Sequence, residues 1–320
     1  MSKEDIDVSV VFTAYNEQMN LKPLLDRIDT TLKSLGREHE IVAVDNGSSD
    51  DSDKILTECL NLYPQLVVVS LVRNFGYDGG IVAGLEHAKG RWVVVMDGDQ
   101  QDPPEAIPRF VQKAEEGYEI VFGLRRKRTE CMLLGMMMKL YYRIWRRIAN
   151  IDVPRDAGNF GVMSRDVVDV INRLPERNKF IRGLRAWTGF RSTGLEYHRD
   201  ARPLGTTKFS FFGYVDHALN GITAFSTFPL RMFTYGGLLG IAVFLFLAVL
   251  AVVMRVLELM GTSIVPYLIA SGFTTLALSI LVTASVNLLG LGIIGEYVGR
   301  NLEESKHRPN YLVRKVRRSS

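Results

Sequence analysis

The chain has 320 residues, 47% of them hydrophobic, and a formal net charge of +4. That apolar content can bury a sizeable core and excludes a disordered chain, and the length fits one large domain with an appendage. The positive charge gathers at 125–128, 143–147, 199–208 and 306–318, which favours a local anionic partner over nucleic acid.

The opening, "MSKEDIDVSVVFTAYNE", carries acids where a signal peptide would have an apolar region, so the first strand is expected almost at once. Cys59 and Cys131 lie in apolar settings with no second Cys or His at metal-ligand spacing, which fits a reducing, cytosolic environment. From Val8 to Gly123 apolar runs ("VSVVFT", "EIVAVD", "LVVVSLV", "WVVVMD", "EIVFG") alternate with helical stretches ending near Leu35, Leu62 and Ala88 and restarting after Pro104. Such alternation predicts an α/β domain with a mostly parallel, Rossmann-like sheet covered on both faces. Ligands of these sheets bind at the carboxyl ends of the strands.

Those ends carry the polar residues: Tyr15, Asn16 and Glu17 after strand one, Asp45 and Asn46 after strand two, Asp97 and Asp99 after strand four. Ser48, Ser49 and Asp50 read as helix caps. The run "RWVVVMDGDQQDPPE" ends an apolar strand in three acids within six residues. A carboxylate against apolar surface costs several kcal/mol unless it is paired, protonated or metal-bound, so a compensating cation is expected. An EF-hand loop fails, since Asp102 and Pro108 stand where Gly and Glu belong. A solvated turn is the plain alternative. A site where one carboxylate holds Mg²⁺ or Mn²⁺ and the other orients a nucleotide sugar explains the pair better.

Further on, Met132–Arg147 mixes Met, Leu, Tyr and Trp with Lys139, Arg143, Arg146 and Arg147, the pattern of an interfacial helix. Phe209–Phe228 reads either as a second such segment or as an ordinary core helix. The five histidines are isolated and read as surface or satisfied residues, and Trp187 as core. The uncharged stretches Phe233–Met254 and Leu259–Gly295 each exceed the roughly 20 residues that span a hydrocarbon core. The link Arg255–Ser263 is weakly charged and the flanks are basic, which places both ends and the N-terminal domain in the cytoplasm. Ser271, Thr275, Ser279, Thr283 and Asn287 recur every fourth residue as a helix-packing seam, and a homo-oligomer is expected. With no charge inside either span, a transporter would lack a polar path.

The series "TAYNE", "VDNGSSDDS", "RNFGYDGG", "MDGDQQDPPE", "DAGNFGVMSR" and "ARPLGTTKFS" resembles the polyprenyl-phosphate sugar transferases of glycosyltransferase family two. That group holds dolichyl-phosphate mannose synthases and the bacterial GtrB-like undecaprenyl-phosphate glucosyltransferases. The motifs run from strand one to Ser210, and the two apolar spans resemble the GtrB-like branch. The resemblance implies a GT-A fold and inverting, metal-dependent (Mg²⁺ or Mn²⁺) transfer of one hexose to polyprenyl phosphate at the cytoplasmic membrane face. UDP-glucose is the expected donor, with GDP-mannose or a UDP-aminosugar as alternatives and a non-catalytic nucleotide-sugar-binding scaffold as the competing class.

Carried over by resemblance, Tyr15, Glu17 and Asp45 contact base and ribose, Asp97 ribose and metal, and Asp99 metal and diphosphate. Gln101 lies near the sugar, Arg125, Arg202 and Lys208 hold phosphates, and Asp156 takes the position often called the base. Arg199 also suits neutralising a departing diphosphate. Asn159 replaces the acid of the commoner "DAGDF", and "RGLRAW" lacks the motif of processive enzymes. The implied organisation is a catalytic domain over 1–208 (interfacial helix about 132–149), a juxtamembrane segment 209–232, spans 233–254 and 264–294, and a basic cytoplasmic tail 296–320.

Overall fold

The structure is a computed structural model describing residues 6–125, 157–177, 179–199, 226–260 and 272–319. Asp156, Arg202, Lys208, the expected helix at 132–149 and the segment 209–225 lie outside those residues.

The apolar runs form the strands the alternation predicts. They are β1 (Val8–Ala14), β2 (His39–Asp45), β3 (Leu66–Leu71), β4 (Trp92–Asp97) and β5 (Ile120–Arg125). Three further strands complete the sheet: β6 (Ala157–Ser164), β7 (Ser192–Tyr197) and β8 (Val313–Arg318). The order is β7-β5-β6-β4-β1-β2-β3-β8. β1, β2, β3 and β4 are parallel to their neighbours within that group, and β7 is parallel to β5. β6 inserts between β4 and β5, antiparallel to both, and β8 closes the other end antiparallel to β3.

Alternate side chains of each strand enter two cores. Phe12 and Val10 of β1 pack with Leu24, Leu25 and Ile28 of α1 (Leu21–Leu35) and with Phe110 of α4 (Ile107–Glu115). On the other face, Val11 packs with Ile81, Val82 and Leu85 of α3 (Gly76–His87) and with Val167 and Ile171 of α5 (Arg165–Arg173). Each such side chain contributes about 1.5–3 kcal/mol by leaving water, so both faces being covered is what holds the strands flat against their helices. Gly84 lets α3 approach β1: a Cβ there would stand 2.3 Å from Val11 Cγ1. Shorter helices α2 (Ser52–Cys59) and α6 (Ile181–Trp187) complete this unit.

Residues 226–306 form a second compact unit. It contains α7 (Phe228–Leu259), which runs beyond both ends of the span expected at 233–254, and α8 (Gly272–Ser305), which runs past the end of the span expected at 264–294, whose first residues, 264–271, lie outside the described residues. Leu230–Leu247 and Ser279–Ser305 are long and apolar enough to cross a membrane. Phe244, Phe246, Leu288 and Leu289 are exposed, as lipid-facing side chains would be. The tail does not stay apart from the sheet. Residues 307–320 group with the sheet unit, because β8 covers the β3 edge that would otherwise present unpaired backbone groups.

Phe160, Phe110 and Tyr197 cluster where β6 and β7 meet α4, with ring centroids 4.7 Å apart for the tilted Phe110–Phe160 pair and 5.1 Å for the edge-to-face Phe160–Tyr197 pair. Phe160→Ala should therefore destabilise the catalytic unit by about 3–5 kcal/mol. Thermal unfolding in detergent checks this, and an unchanged midpoint would mean the cluster is dispensable.

Candidate active site

The rim of the sheet is built by loops that hold one another. Asn46 N donates to Ala14 O at 2.8 Å, joining the ends of β1 and β2. Asn16, at φ +53°, turns the chain so that its N–H reaches Ser48 Oγ (3.0 Å) and its Oδ1 accepts from Ser49 N (2.8 Å). Glu17 N donates to Ser52 Oγ (3.1 Å) and Gln18 N to Asp50 Oδ2 (3.3 Å). The residues expected as helix caps are thus spent mainly on the neighbouring loop, although Asp50 Oδ1 also accepts from Ser52 N at 3.0 Å.

Asp45 is buried beneath this stitching and accepts from Ser48 N at 3.1 Å. Burial pushes its carboxyl above the ordinary range, against the pull of Ser48. Asn46 bridges to the third loop, donating to Gly76 O (2.7 Å) and accepting from Phe75 N (3.0 Å). Gly47, at φ +70°, lies so close to Arg73 that a Cβ would stand 2.3 Å from its carbonyl carbon. Tyr15 stands exposed at the mouth. Glu17 Oε2 accepts from Asn20 Nδ2 (2.6 Å), and Asn20 Oδ1 accepts from Gln100 Nε2 (3.0 Å), linking the first loop to the acidic one.

At the end of β4 the acids are graded by burial. Asp102 is fully buried, accepting from Tyr197 Oη at 2.8 Å and from Asp97 N at 3.2 Å. Arg199 donates to Asp97 Oδ2 at 2.8 Å and lies 3.5 Å from Asp102 Oδ1, so one guanidinium serves two carboxylates. Asp97 Oδ1 is buried beside the Tyr77 hydroxyl, with no hydrogen bond of good geometry among the described residues. Asp99, part-exposed, accepts from Gln101 N at 3.2 Å. Arg125 ends β5 in register with Tyr197.

Behind Asp97 lies a second polar layer. Burial, then the Asp97 charge, pushes the Tyr77 hydroxyl well up. Asp78 accepts from Ile181 N at 3.3 Å, and its enclosed carboxyl is pushed up to about 6 by burial, against the backbone bond and the charges of Arg182 and Arg185. Arg182 donates to Asn159 Oδ1 (3.2 Å), and buried Arg185 donates to the carbonyls of Asn159 (3.1 Å) and Gly158 (3.0 Å). An aspartate at 159 would form an ion pair with Arg182; asparagine keeps only the hydrogen bond.

The structure thus gathers Tyr15, Glu17, Asp45, Asp97, Asp99 and Gln101 on one rim, as the sequence predicts. Among the basic residues described, Arg199 is the one brought onto the acids. Asp102 stands among the three acids that end the apolar run, and Tyr77 and Asp78 lie in the quoted "RNFGYDGG", but none of these, nor Tyr197 or Arg182, is singled out for its contacts. Asp102 could have been noticed as the acid locked before two prolines, and the others depend on strand pairing across β6 and β7.

This architecture has a family. The model of glycosyl transferase family 2 matches residues 9–171. An uncharacterized glycosyltransferase of Synechocystis is 39% identical over 96% of this chain and 95% of its own. The bactoprenol glucosyl transferase of Shigella phage SfV is 35% identical over 96% of this chain and 98% of its own. A mannosyltransferase from Pyrobaculum calidifontis, solved with GDP-Man and Mn²⁺, is 17% identical over 69% of this chain and 64% of its own, with a TM-score of 0.48. The chain belongs to glycosyl transferase family 2 and is a glycosyltransferase.

Asp78 supplies a pH test. Its folded carboxyl titrates at about 6, whereas in the unfolded chain it titrates at about 3.9. Between those values the folded state binds more protons, so its contribution to stability falls as pH rises through that window. Asp78→Asn should gain stability relative to the unmodified protein from about pH 4 to about pH 6 and level off above. A difference constant across that range in denaturant unfolding would show that the carboxyl titrates as if exposed.

Proposed function

We propose that this enzyme transfers a single glucose from UDP-glucose to undecaprenyl phosphate at the cytoplasmic face of the membrane, with inversion at the anomeric carbon. The observation that carries the reading is the Asp97–Asp99 pair, set on the strand ends beside the stitched loops of Glu17 and Asp45. Relatives matching over nearly the whole chain are named bactoprenol glucosyl transferases, which supports both the sugar and the lipid acceptor. Asp45 accepts a hydrogen bond from either uracil or guanine, so GDP-mannose and UDP-aminosugars are the donors to exclude.

Asp97 and Asp99 fit a divalent cation. Among the described residues Asp97 Oδ1 is buried with no hydrogen bond of good geometry, and no three acid, His or Cys side chains form a complete cage. Two carboxylates with the rest of the shell left to phosphate and water is how Mg²⁺ is usually held. When bound, Mg²⁺ or Mn²⁺ would neutralise the diphosphate as it departs. Arg199, with Arg125, Arg202 and Lys208, supplies further positive charge for the leaving diphosphate and the acceptor phosphate. Tyr15 and Glu17 flank the base and ribose, and Gln101 faces the sugar. Helices α7 and α8 hold the acceptor's membrane next to the enzyme, with both termini cytoplasmic, and Ser279, Thr283 and Asn287 of α8 offer a seam to a second copy.

Incubation with a panel of nucleotide sugars and polyprenyl phosphate, read by mass spectrometry, should give polyprenyl-phosphate hexose from UDP-glucose. Product from another donor replaces the sugar assignment, and no product from any donor favours a scaffold. Asp99→Asn should cut turnover at least about a hundredfold while the protein stays folded. Full wild-type activity in metal-free buffer would sink the metal assignment.

Asp156 is proposed to position the acceptor rather than to act as a base. A phosphate monoester has a second pKa of about 6, so the acceptor oxygen is already largely deprotonated near neutral pH. Asp156→Asn should lose rate yet keep the acidic limb of kcat/KM against pH. Disappearance of that limb in the variant alone would identify Asp156 as the titrating base.

A further inference from the structure

The tail strand β8 touches the segment after β3 and the first turns of α2, both of which adjoin the loop that follows Asp45. At its start, Leu312 O accepts from Val72 N at 3.0 Å, and Arg314 donates to Val72 O at 3.1 Å. Val72 leads directly into Arg73–Gly76, the segment that Gly47 packs against and that Asn46 bonds on both sides. Near its end, Arg317 turns inward and is only 13% exposed, whereas Arg314, Lys315 and Arg318 face outward. Its guanidinium donates to both oxygens of Asp53, to Thr57 Oγ1 and to Ser70 Oγ (2.5 Å). Ser70 in turn donates to Asp53 Oδ1 at 2.5 Å.

Asp53 stands in the first turn of α2, immediately beyond residues 46–52, where Ser48, Ser52 and Asp50 bind the amides of Asn16, Glu17 and Gln18. Although partial burial opposes it, Arg317 and Ser70 hold the Asp53 carboxyl below the ordinary range. Asp53 is also one of the charges bearing on buried Asp45. Without Arg317, a bare carboxylate would sit beside the base of the donor loop and Ser70 would lose its second partner. A strand needed only to cover an edge would carry charges outward, as Arg314, Lys315 and Arg318 do, and would have no use for a guanidinium enclosed against α2 and β3.

We propose that β8 is part of the donor site, with Arg317 a positioning residue that sets the nucleotide loop through Asp53 and Ser70. The proposal rests on the reading of Asp45 and its loop as part of the donor's nucleotide pocket, with segment 72–76 bonded to that loop through Asn46. It also makes donor binding depend on the segment that leaves the second apolar helix: α8 ends at Ser305, and residues 306–312 alone connect it to β8.

The test uses the full chain in detergent, with UDP as the binding probe. Arg317→Met should weaken UDP on the order of tenfold by calorimetry, a usual size for coupling between a remote contact and a site. It should raise KM for the nucleotide sugar by a similar factor, leave kcat and the acceptor KM near their unmodified values, and speed amide hydrogen exchange in 46–53 and 72–76. Arg317→Lys should recover part of the affinity. Asp53→Asn keeps the tail and guards against a variant that fails to fold; in that background Arg317→Met should cost far less than on its own. Unchanged UDP affinity and unchanged exchange in Arg317→Met would overturn the proposal, as would full additivity of the two substitutions. If the unmodified protein does not bind UDP, the donor reading fails, and the exchange rates still decide whether β8 sets these loops.

Discussion

Ending a buried strand in carboxylates imposes a charge that has to be met, and the catalytic unit is arranged around meeting it. Asp102 is removed from water altogether and is satisfied by Tyr197, the Asp97 amide and Arg199. Asp97 shares that same guanidinium through one oxygen and leaves the other buried with no hydrogen bond of good geometry among the described residues. A buried carboxylate oxygen left unpaired costs more than a hydrogen bond returns, which makes the Tyr77 hydroxyl beside Asp97 part of the same balance. Asp102 is therefore the fixed acid that anchors the turn and orients Arg199, while Asp97 and Asp99 stand nearer the surface of the rim.

The same requirement decides where β6 and β7 must run. Tyr197 closes β7, and its hydroxyl reaches Asp102 only because β7 pairs parallel to β5, with β6 between β5 and β4. Phe160 and Phe110 pack the ring from the other side. Catalytic geometry and the hydrophobic core consequently share one side chain: the ring of Tyr197 belongs to the core and its oxygen to the site.

Periodicity made β1 to β5 legible because these strands are buried on both faces and read as unbroken apolar runs. The rim acids followed, since strand ends are where such sheets expose polar groups. β6 was hidden by two glycines in "AGNFGVMS", and β8, "VRKVRR", looks like a charged tail until it is paired with β3. Arg199 could be counted among several basic residues, but its choice of Asp97 and Asp102 depends on the return of β7. Likewise, the Asp78, Arg182 and Arg185 layer joins residues about a hundred positions apart, which no local pattern reveals.

The loops show why the rim needs so many polar side chains. A loop between a buried strand and a helix leaves backbone groups without ladder partners, and each one hidden from water must find an acceptor or donor. Asn16, Asn20, Asn46, Ser48 and Ser52 supply those partners across loops rather than within them. Cross-loop bonding fixes the spacing between Glu17 and Asp45, so the rim is ordered by its own side chains. It also means that a force on one loop is felt by the next. The segment after β3 is bonded to β8 on one side and to Asn46 on the other, so displacement of the tail strand would be transmitted to the Asp45 loop by direct hydrogen bonds, with no intervening mobile linker.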